Sequence, residues 1–249
     1  MTGNKPIYVY GVVSGGVPIT LPEDGVASAT PRLLESNGLA AIVSDVPGER
    51  LRVRRRDLSA HLRALEEVFA QTTVVPCRFG TVLPSEGEVR AHLLDARRDE
   101  LHGLLERLKD HVQLNLKAVY EEPEVLSDLV AADPRIAAGR QRARDLGEAA
   151  YYANIELGEL VTAQLVERRG RDAYRIHARL AALASDVVAD DKDTDALLVL
   201  KASYLVDRKR ANQFDSEVES LAKTEAPAIR FELVGPLPPT AFASLGGDG

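Results

Sequence analysis

The 249-residue sequence has one cysteine, Cys77, and a thiolate there would be the strongest nucleophile the chain could offer. His61 would be its base, and with Arg78, the next residue, the three would make a small-molecule-binding or enzymatic site. No spacing supplies the third group that orients such a base. A lone cysteine beside a strand reads more simply as a small buried hydrophobe. The histidines His61, His92, His102, His111 and His177 form no H-E-x-x-H pair, and His92 and His102 are nearly three helical turns apart, too far to share an ion. Asp191, Asp193 and Asp195 begin like a calcium loop, but Ala196 stands where glycine is needed and Ala202 where a bidentate glutamate is needed. Gly11, Gly15 and Gly16 lack the G-x-G-x-x-G spacing, and Pro18 and Pro22 stand where a helix should open. No catalytic residue, metal or cofactor is therefore assigned.

The densest charge cluster is Arg50, Arg52, Arg54, Arg55 and Arg56. It could grip a phosphate or an acidic surface. It lacks the interleaved aromatics of single-stranded nucleic-acid sites. A solvated loop ahead of a helix is the plainer account, and a protein partner fits better than RNA if the cluster binds at all. The formal net charge of −7 also argues against a protein that mainly neutralises nucleic-acid phosphate. Hydrophobic residues at 45% and charged residues at 28% suit a soluble globular chain with a buried core. No apolar run approaches the ~20 residues of a membrane helix. The N-terminus lacks the segments of a secretory signal, and a single cysteine fits a reducing cytoplasm. Neither nucleic acid nor a membrane is expected as a partner.

These side chains must be positioned by the elements around them. Ile7–Val13 is a β-branched and aromatic run ending at Gly15-Gly16, and reads as a buried strand; Leu39–Val43, after Asn37-Gly38, reads as another. Leu58, Leu62, Leu65 and Phe69 recur at helical spacing behind Asp57, a candidate cap. Thr73–Leu83 reads as a strand broken by Pro76, hence at a sheet edge or bulged. Ser85 and Glu88 form a capping box for a helix carrying Val89, Leu93, Leu94, Leu101, Leu104, Leu105 and Leu108 on one side. Val112–Tyr120 alternates as a half-buried strand with Gln113, Asn115 and Lys117 outward. Residues 121–139, with Pro123 and Pro134, read as a connection holding at most a short helix. Ala143, Leu146, Ala150, Ala153, Leu157 and Leu160 then step by three and four as one long helical stripe, and helical pattern resumes after Gly170. A short strand at 185–189, a strong one at 197–206, a helix over 207–223 and a last strand at 229–233, stopped by Gly235-Pro236, complete the chain. The expectation is an α+β protein of two domains: residues 1–110, and residues 111–249 as a modified ferredoxin-like β-α-β-β-α-β fold with a long helix.

Four blocks, in order, resemble one family. Val75-Pro76-Cys77-Arg78-Phe79-Gly80-Thr81-Val82 resembles the V-P-x-R-F-G-T-V block of the GvpF/GvpL family of gas vesicle proteins. Ile7–Val13 is similar to its opening strand, Ala202–Val206 with Phe214 and Val218 to its A-x-Y-L-V…F…V segment, and Gly235–Pro239 to its G-P-W-P-P block. Cys77 stands where methionine is common, Lys201 where asparagine is frequent and Leu237 where tryptophan is common. The resemblance implies a non-enzymatic, minor structural or assembly protein of gas vesicles, located in the cytoplasm on the vesicle. It implies binding to the small, hydrophobic main shell protein, at the gas-facing side, and to other accessory proteins. The surfaces suited to this are the strand edge at Pro76 with Arg78 and Phe79, the Ala143–Leu160 stripe, and Arg54, Arg55 and Arg56. The plainer alternatives are a core Phe79, an ion-paired Arg78 and a stripe packed at home.

Overall fold

Nearly every side chain of the first strand is apolar on both faces, so that strand has to sit inside a sheet with layers on each side. The computed structural model describes residues 5–47, 54–190 and 195–243. The chain forms two compact units, residues 1–113 with 235–249, and residues 114–234. The α+β class expected from the sequence is observed.

In the first unit β1 (Ile7–Ser14) is central, with Ile7 to Val13 all buried. β2 (Arg32–Ser36) and β3 (Leu39–Asp45) form a hairpin through Asn37-Gly38, whose positive φ values of 46° and 81° suit a tight two-residue turn. β2 has no counterpart among the sequence expectations. It buries fully only Leu34, too little apolar material to be read as a strand without the turn. β4 (Val75–Pro76) and β5 (Val82–Leu83) both pair with the other side of β1, completing the order β2-β3-β1-β4. Tyr10 is an extra residue in β1, since Val9 faces Val43 and Gly11 already faces Ile42.

Helix α1 (Arg55–Phe69) starts earlier than expected, with Arg54 at the N-cap position. Asp57 is not the cap. It is buried in the first turn and accepts a hydrogen bond from the Ala27 amide at 3.2 Å. The buried face is Ala60, His61, Ala64, Leu65, Val68 and Phe69, whereas Leu58 and Leu62 are 40% and 43% exposed. The face is rotated because small alanines let the helix lie close to the sheet. Ser85 Oγ accepts from Glu88 N at 3.2 Å and starts α2 (Glu86–Glu88), which widens into a π-helical stretch over Val89–Asp95. Asp95 there accepts from Ser36 Oγ and Asn37 Nδ2, at 2.7 and 2.8 Å, and so ties the β2–β3 turn to this segment. α3 (Arg98–Leu108) buries Leu101, Leu105 and Leu108 against β1 and β4.

The second unit is built on β6 (His111–Tyr120), β7 (Asp186–Ala189), β8 (Leu198–Asp207) and β9 (Ile229–Leu237), in the order β7-β8-β6-β9. Residues 121–139 are not a connection. They form α4 (Glu122–Ala132) and the start of α5 (Pro134–Leu146), because Pro123 and Pro134 occupy the first turns, where no amide donor is required. Nor is the Ala143–Leu160 stripe one helix. The chain reverses at Gly147, with φ of 53°, and α6 (Tyr151–Ala181) returns against α5, joined by an Arg142–Glu156 ion pair at 3.4 Å. α6 runs unbroken through Gly158 and Gly170. α7 (Ala211–Glu225) buries Phe214, Val218 and Leu221. β9 continues through Gly235-Pro236 to Leu237, past the expected stop, since an edge strand tolerates a missing donor. Gln113, expected outward, is buried, and its Oε1 accepts from the Ala241 amide at 2.8 Å.

Gly11 marks the closest approach of the edge strand. A Cβ there would lie 2.8 Å from the Val75 carbonyl oxygen and 3.0 Å from Val74 Cγ2. Gly11→Ala is expected to push β4 outward and cost ~1–3 kcal/mol. In urea unfolding this appears as a lower midpoint at constant slope.

Candidate functional site

The sheet edge opposite β3 is one strand with an insertion. Pro76 pairs with Gly11 and Val82 with Tyr8, so β1 advances three residues while the edge advances six. Cys77 N donates to Tyr10 O at 2.8 Å and Val9 N donates to Thr81 O at 3.0 Å, so the ladder holds on both sides of the extra residues. The residues expelled are Arg78, Phe79 and Gly80. The strand is thus interrupted after Cys77, not at Pro76, which stays buried in the ladder. Thr81 closes the turn on Arg78, its amide and its hydroxyl both donating to the Arg78 carbonyl, at 3.2 and 2.8 Å. Gly80 has φ of 92°, a conformation that costs L residues strain.

A buried hydrogen-bond chain fixes the turn from behind. Gly80 N donates to Tyr8 Oη at 3.3 Å, and Tyr8 Oη lies 2.8 Å from His61 Nδ1. His61 also hydrogen-bonds the Cys77 backbone. The Cys77 bond favours the protonated ring, so its partner is the carbonyl, which only accepts; with Nδ1 facing Tyr8, the single proton of the neutral ring sits on Nε2 and Nδ1 accepts from the Tyr8 hydroxyl. The Nε2 proton of His61 is then the one offered to the Cys77 carbonyl. Both flanks of Arg78-Phe79 are therefore tied to a single α1 side chain. Phe79 is half-buried with its ring 5.7 Å from His61 and 6.3 Å from Tyr8, and Tyr10 stacks on the imidazole at 5.7 Å. Tyr10 Oη accepts from the Val26 amide at 2.7 Å and meets Ser44 Oγ at 3.0 Å. Burial lowers the His61 pKa to about 4, outweighing the opposing backbone bond, so the ring is neutral at pH 7. Burial likewise drives the Tyr8 hydroxyl well above its ordinary range.

Beside the turn is a cleft of about 450 Å³. Cys77, Phe79, Val82, Leu83 and Leu93 give it apolar walls, and Arg78, His92 and Arg97 give it basic ones. Arg97 is held by Glu100 through two bonds of 2.8 and 2.7 Å. Arg78 is exposed. Cys77 is 3% exposed and its thiol is pushed up to about 12 by burial, so it is no activated nucleophile. The arrangement thus brings His61, Pro76, Cys77, Arg78 and Phe79 together, but as a scaffold for a displayed turn and not as a base–thiolate pair. Arg54, Arg55 and Arg56 are exposed at the N-terminus of α1, where basic residues oppose the helix dipole. Arg56 approaches Asp57 at 3.9 Å, while the Arg54 and Arg55 side chains have no ion pair among the described residues. Arg50, Arg52, Asp191 and Asp193 lie outside the described residues. Among the described residues no three His, Cys, Asp or Glu side chains are grouped to hold a metal ion, and no helix is long and apolar enough to cross a membrane. Tyr8 and Tyr10, absent from the sequence candidates, carry the network. Their alternation in a wholly buried strand was the available sign, since a buried hydroxyl needs a partner.

The fold is that of solved gas vesicle proteins. The crystal structure of the gas vesicle protein GvpF from Anabaena sp. PCC7120 superposes with a TM-score of 0.76, covering 98% of each chain at 21% identity. That of GvpF from Microcystis aeruginosa superposes with 0.73, covering 96% of this chain and 99% of that one at 22% identity. The family described as gas vesicle synthesis protein GvpL/GvpF matches residues 6–244, and the chain belongs to this family. It is 36% identical over 239 residues to gas vesicle protein F of Streptomyces sp. (strain CB03234), covering 94% of this chain and 98% of that protein. It is 31% identical over 277 residues to gas vesicle protein L of the same strain, covering 98% and 95%. The role is gas-vesicle-associated, as the resemblance of the four sequence blocks implied.

The neutral imidazole makes stability pH-dependent. Between pH 6.5 and about 4 the unfolded chain binds a proton at His61 that the native protein refuses. This contribution is complete above pH 6.5 and is lost as pH falls through 4, amounting to about 3 kcal/mol. Urea titrations at pH 7 and pH 4.5 are expected to show the loss in the parent protein. A His61→Phe variant, less stable at pH 7, is expected to lose less over the same interval.

Proposed function

We propose that this chain is a minor structural or assembly protein of the gas vesicle that binds the main shell protein through the edge of its first sheet. The observation that carries the reading is the insertion at that edge: an apolar cleft lies beside a rigidly held Arg78-Phe79 turn. Family membership supports the setting. The chemistry suits a small apolar subunit that must be kept from aggregating before it is incorporated. An extended or helical segment can lay apolar side chains against Phe79, Leu83 and Leu93, while Arg78 meets an acid or a carbonyl at the rim. Pro76 limits the edge to a short pairing, so a partner strand can be released again. Arg54, Arg55 and Arg56 would add a long-range attraction to an acidic segment of the shell protein or of another accessory protein. A position on the gas-facing side in cytoplasmic vesicles belongs to the same reading. So does the absence of nucleic-acid and catalytic roles. In this reading the second unit is a modified ferredoxin-like domain in which the α4–α6 layer replaces the first crossover helix.

The test is co-expression with the main shell protein of the same gene cluster, followed by affinity capture at low and high salt. The shell protein is expected to be retained through the high-salt wash. Phe79→Ser should weaken retention at least tenfold at either salt, and Arg78→Ala chiefly at low salt. A Lys117→Ala control should leave it unchanged. Retention indifferent to Phe79 and Arg78 would move the contact elsewhere. No capture at any salt would remove direct shell binding.

A further inference from the structure

Helix α6 carries two seams. One faces α5 through Ala153, Leu157 and Leu160. The other is Tyr151, Ile155, Gly158, Thr162, Leu165 and Arg169, at steps of four, three, four, three and four, a heptad repeat. Further along the helix, Ile176 and Leu180 are buried and continue this same face into the core of the second unit. Ahead of them it is uncovered from Tyr151 to Thr162 and half-buried at Leu165 and Arg169. Tyr151 is 69% exposed, Ile155 43% exposed, Gly158 and Thr162 are exposed, and a Cβ on Gly158 would meet no atom within 4 Å. The Arg169 side chain has no ion pair or hydrogen bond among the described residues, while its neighbours Arg168, Arg171 and Arg175 are all paired.

We propose that this seam is an isologous interface to a second copy of the chain, the two α6 helices lying antiparallel about a two-fold axis midway between Gly158 and Thr162. The seam is its own complement about that point. Gly158 faces Thr162, so small residues meet small ones and the backbones approach closely. Ile155 faces Leu165, aliphatic against aliphatic. Tyr151 faces Arg169, so each unpaired guanidinium finds an exposed aromatic ring, a pairing whose attraction grows as it is desolvated. Each contact occurs twice by symmetry. The partner is fixed by this pairing of sizes and charge, and the inference stands apart from shell-protein binding.

Sedimentation equilibrium of the full chain, from micromolar to submillimolar concentration, tests it. A reversible monomer–dimer equilibrium is expected. Gly158→Leu should weaken it at least tenfold while helicity by circular dichroism stays equal or rises, since leucine is the better helix former. Tyr151→Arg should also weaken it at least tenfold by setting cation against cation, and adding Arg169→Tyr in the same chain should restore association. A chain that stays monomeric throughout, a dimer untouched by Gly158→Leu, or a double variant that fails to restore pairing would each overturn the proposal.

Discussion

The hydrogen bond between Tyr8 and His61, 2.8 Å long and wholly enclosed, is the contact on which the first unit's displayed surface depends. It joins the central strand to α1, and through the two ends of that pair it reaches both flanks of the expelled turn, the Gly80 amide and the Cys77 carbonyl. Fixing three inserted residues costs ~1–2 kcal/mol of backbone entropy each. Three linked hydrogen bonds at ~0.5–1.5 kcal/mol and two ring contacts of Phe79 at a similar value offset a cost of that size. Remove the imidazole, and a buried phenol and a buried carbonyl both lose partners. The turn and the sheet edge are then loosened together, because they share one network.

The polarity of the chain also decides what the site is not. A histidine that must stay neutral, with both nitrogens committed to hydrogen bonds, has no lone pair left for a thiol. Cys77 contributes its carbonyl and its amide to the structure, while its thiol is buried. What is left is an exposed cation, Arg78, beside a half-buried aromatic ring, Phe79, on a rigid platform. That suits recognition of another protein, with the affinity set by how little the turn must reorganise on binding.

Much of this was legible in the sequence, and the places where it was not are instructive. The buried β1, the edge position of the Pro76 strand and the Ser85 cap follow from local chemistry, and local chemistry prevailed. Two breaks were misplaced. Pro123 and Pro134 look like interruptions but start helices, because a proline is harmful only where its amide would have been used. The Ala143–Leu160 stripe keeps its period across a chain reversal, since the two arms of a helical hairpin present the same small residues to each other. Periodicity alone does not reveal a turn of four residues. The rotated face of α1 was hidden because alanines and a histidine outcompeted Leu58 and Leu62 for the sheet. Within the candidate site, Arg78 and Phe79 could be singled out from the family block. Their support could not, as it depends on Tyr8 and His61 meeting across 53 residues of chain.

The second unit repeats the theme of polar groups pinning an apolar frame. Tyr120 donates to Asp172 at 2.7 Å, and Arg168 bridges Asp128 and Asp172, so that α4, α6 and β6 are tied at one point. The central claim nevertheless rests on the protonation of one ring in the first unit. The ¹⁵N chemical shifts of His61 between pH 7 and pH 3.5 test it most directly. The neutral tautomer with its proton on Nε2 is expected to persist until titration near pH 4. A proton on Nδ1, or titration near the ordinary value of about 6.5, would contradict it.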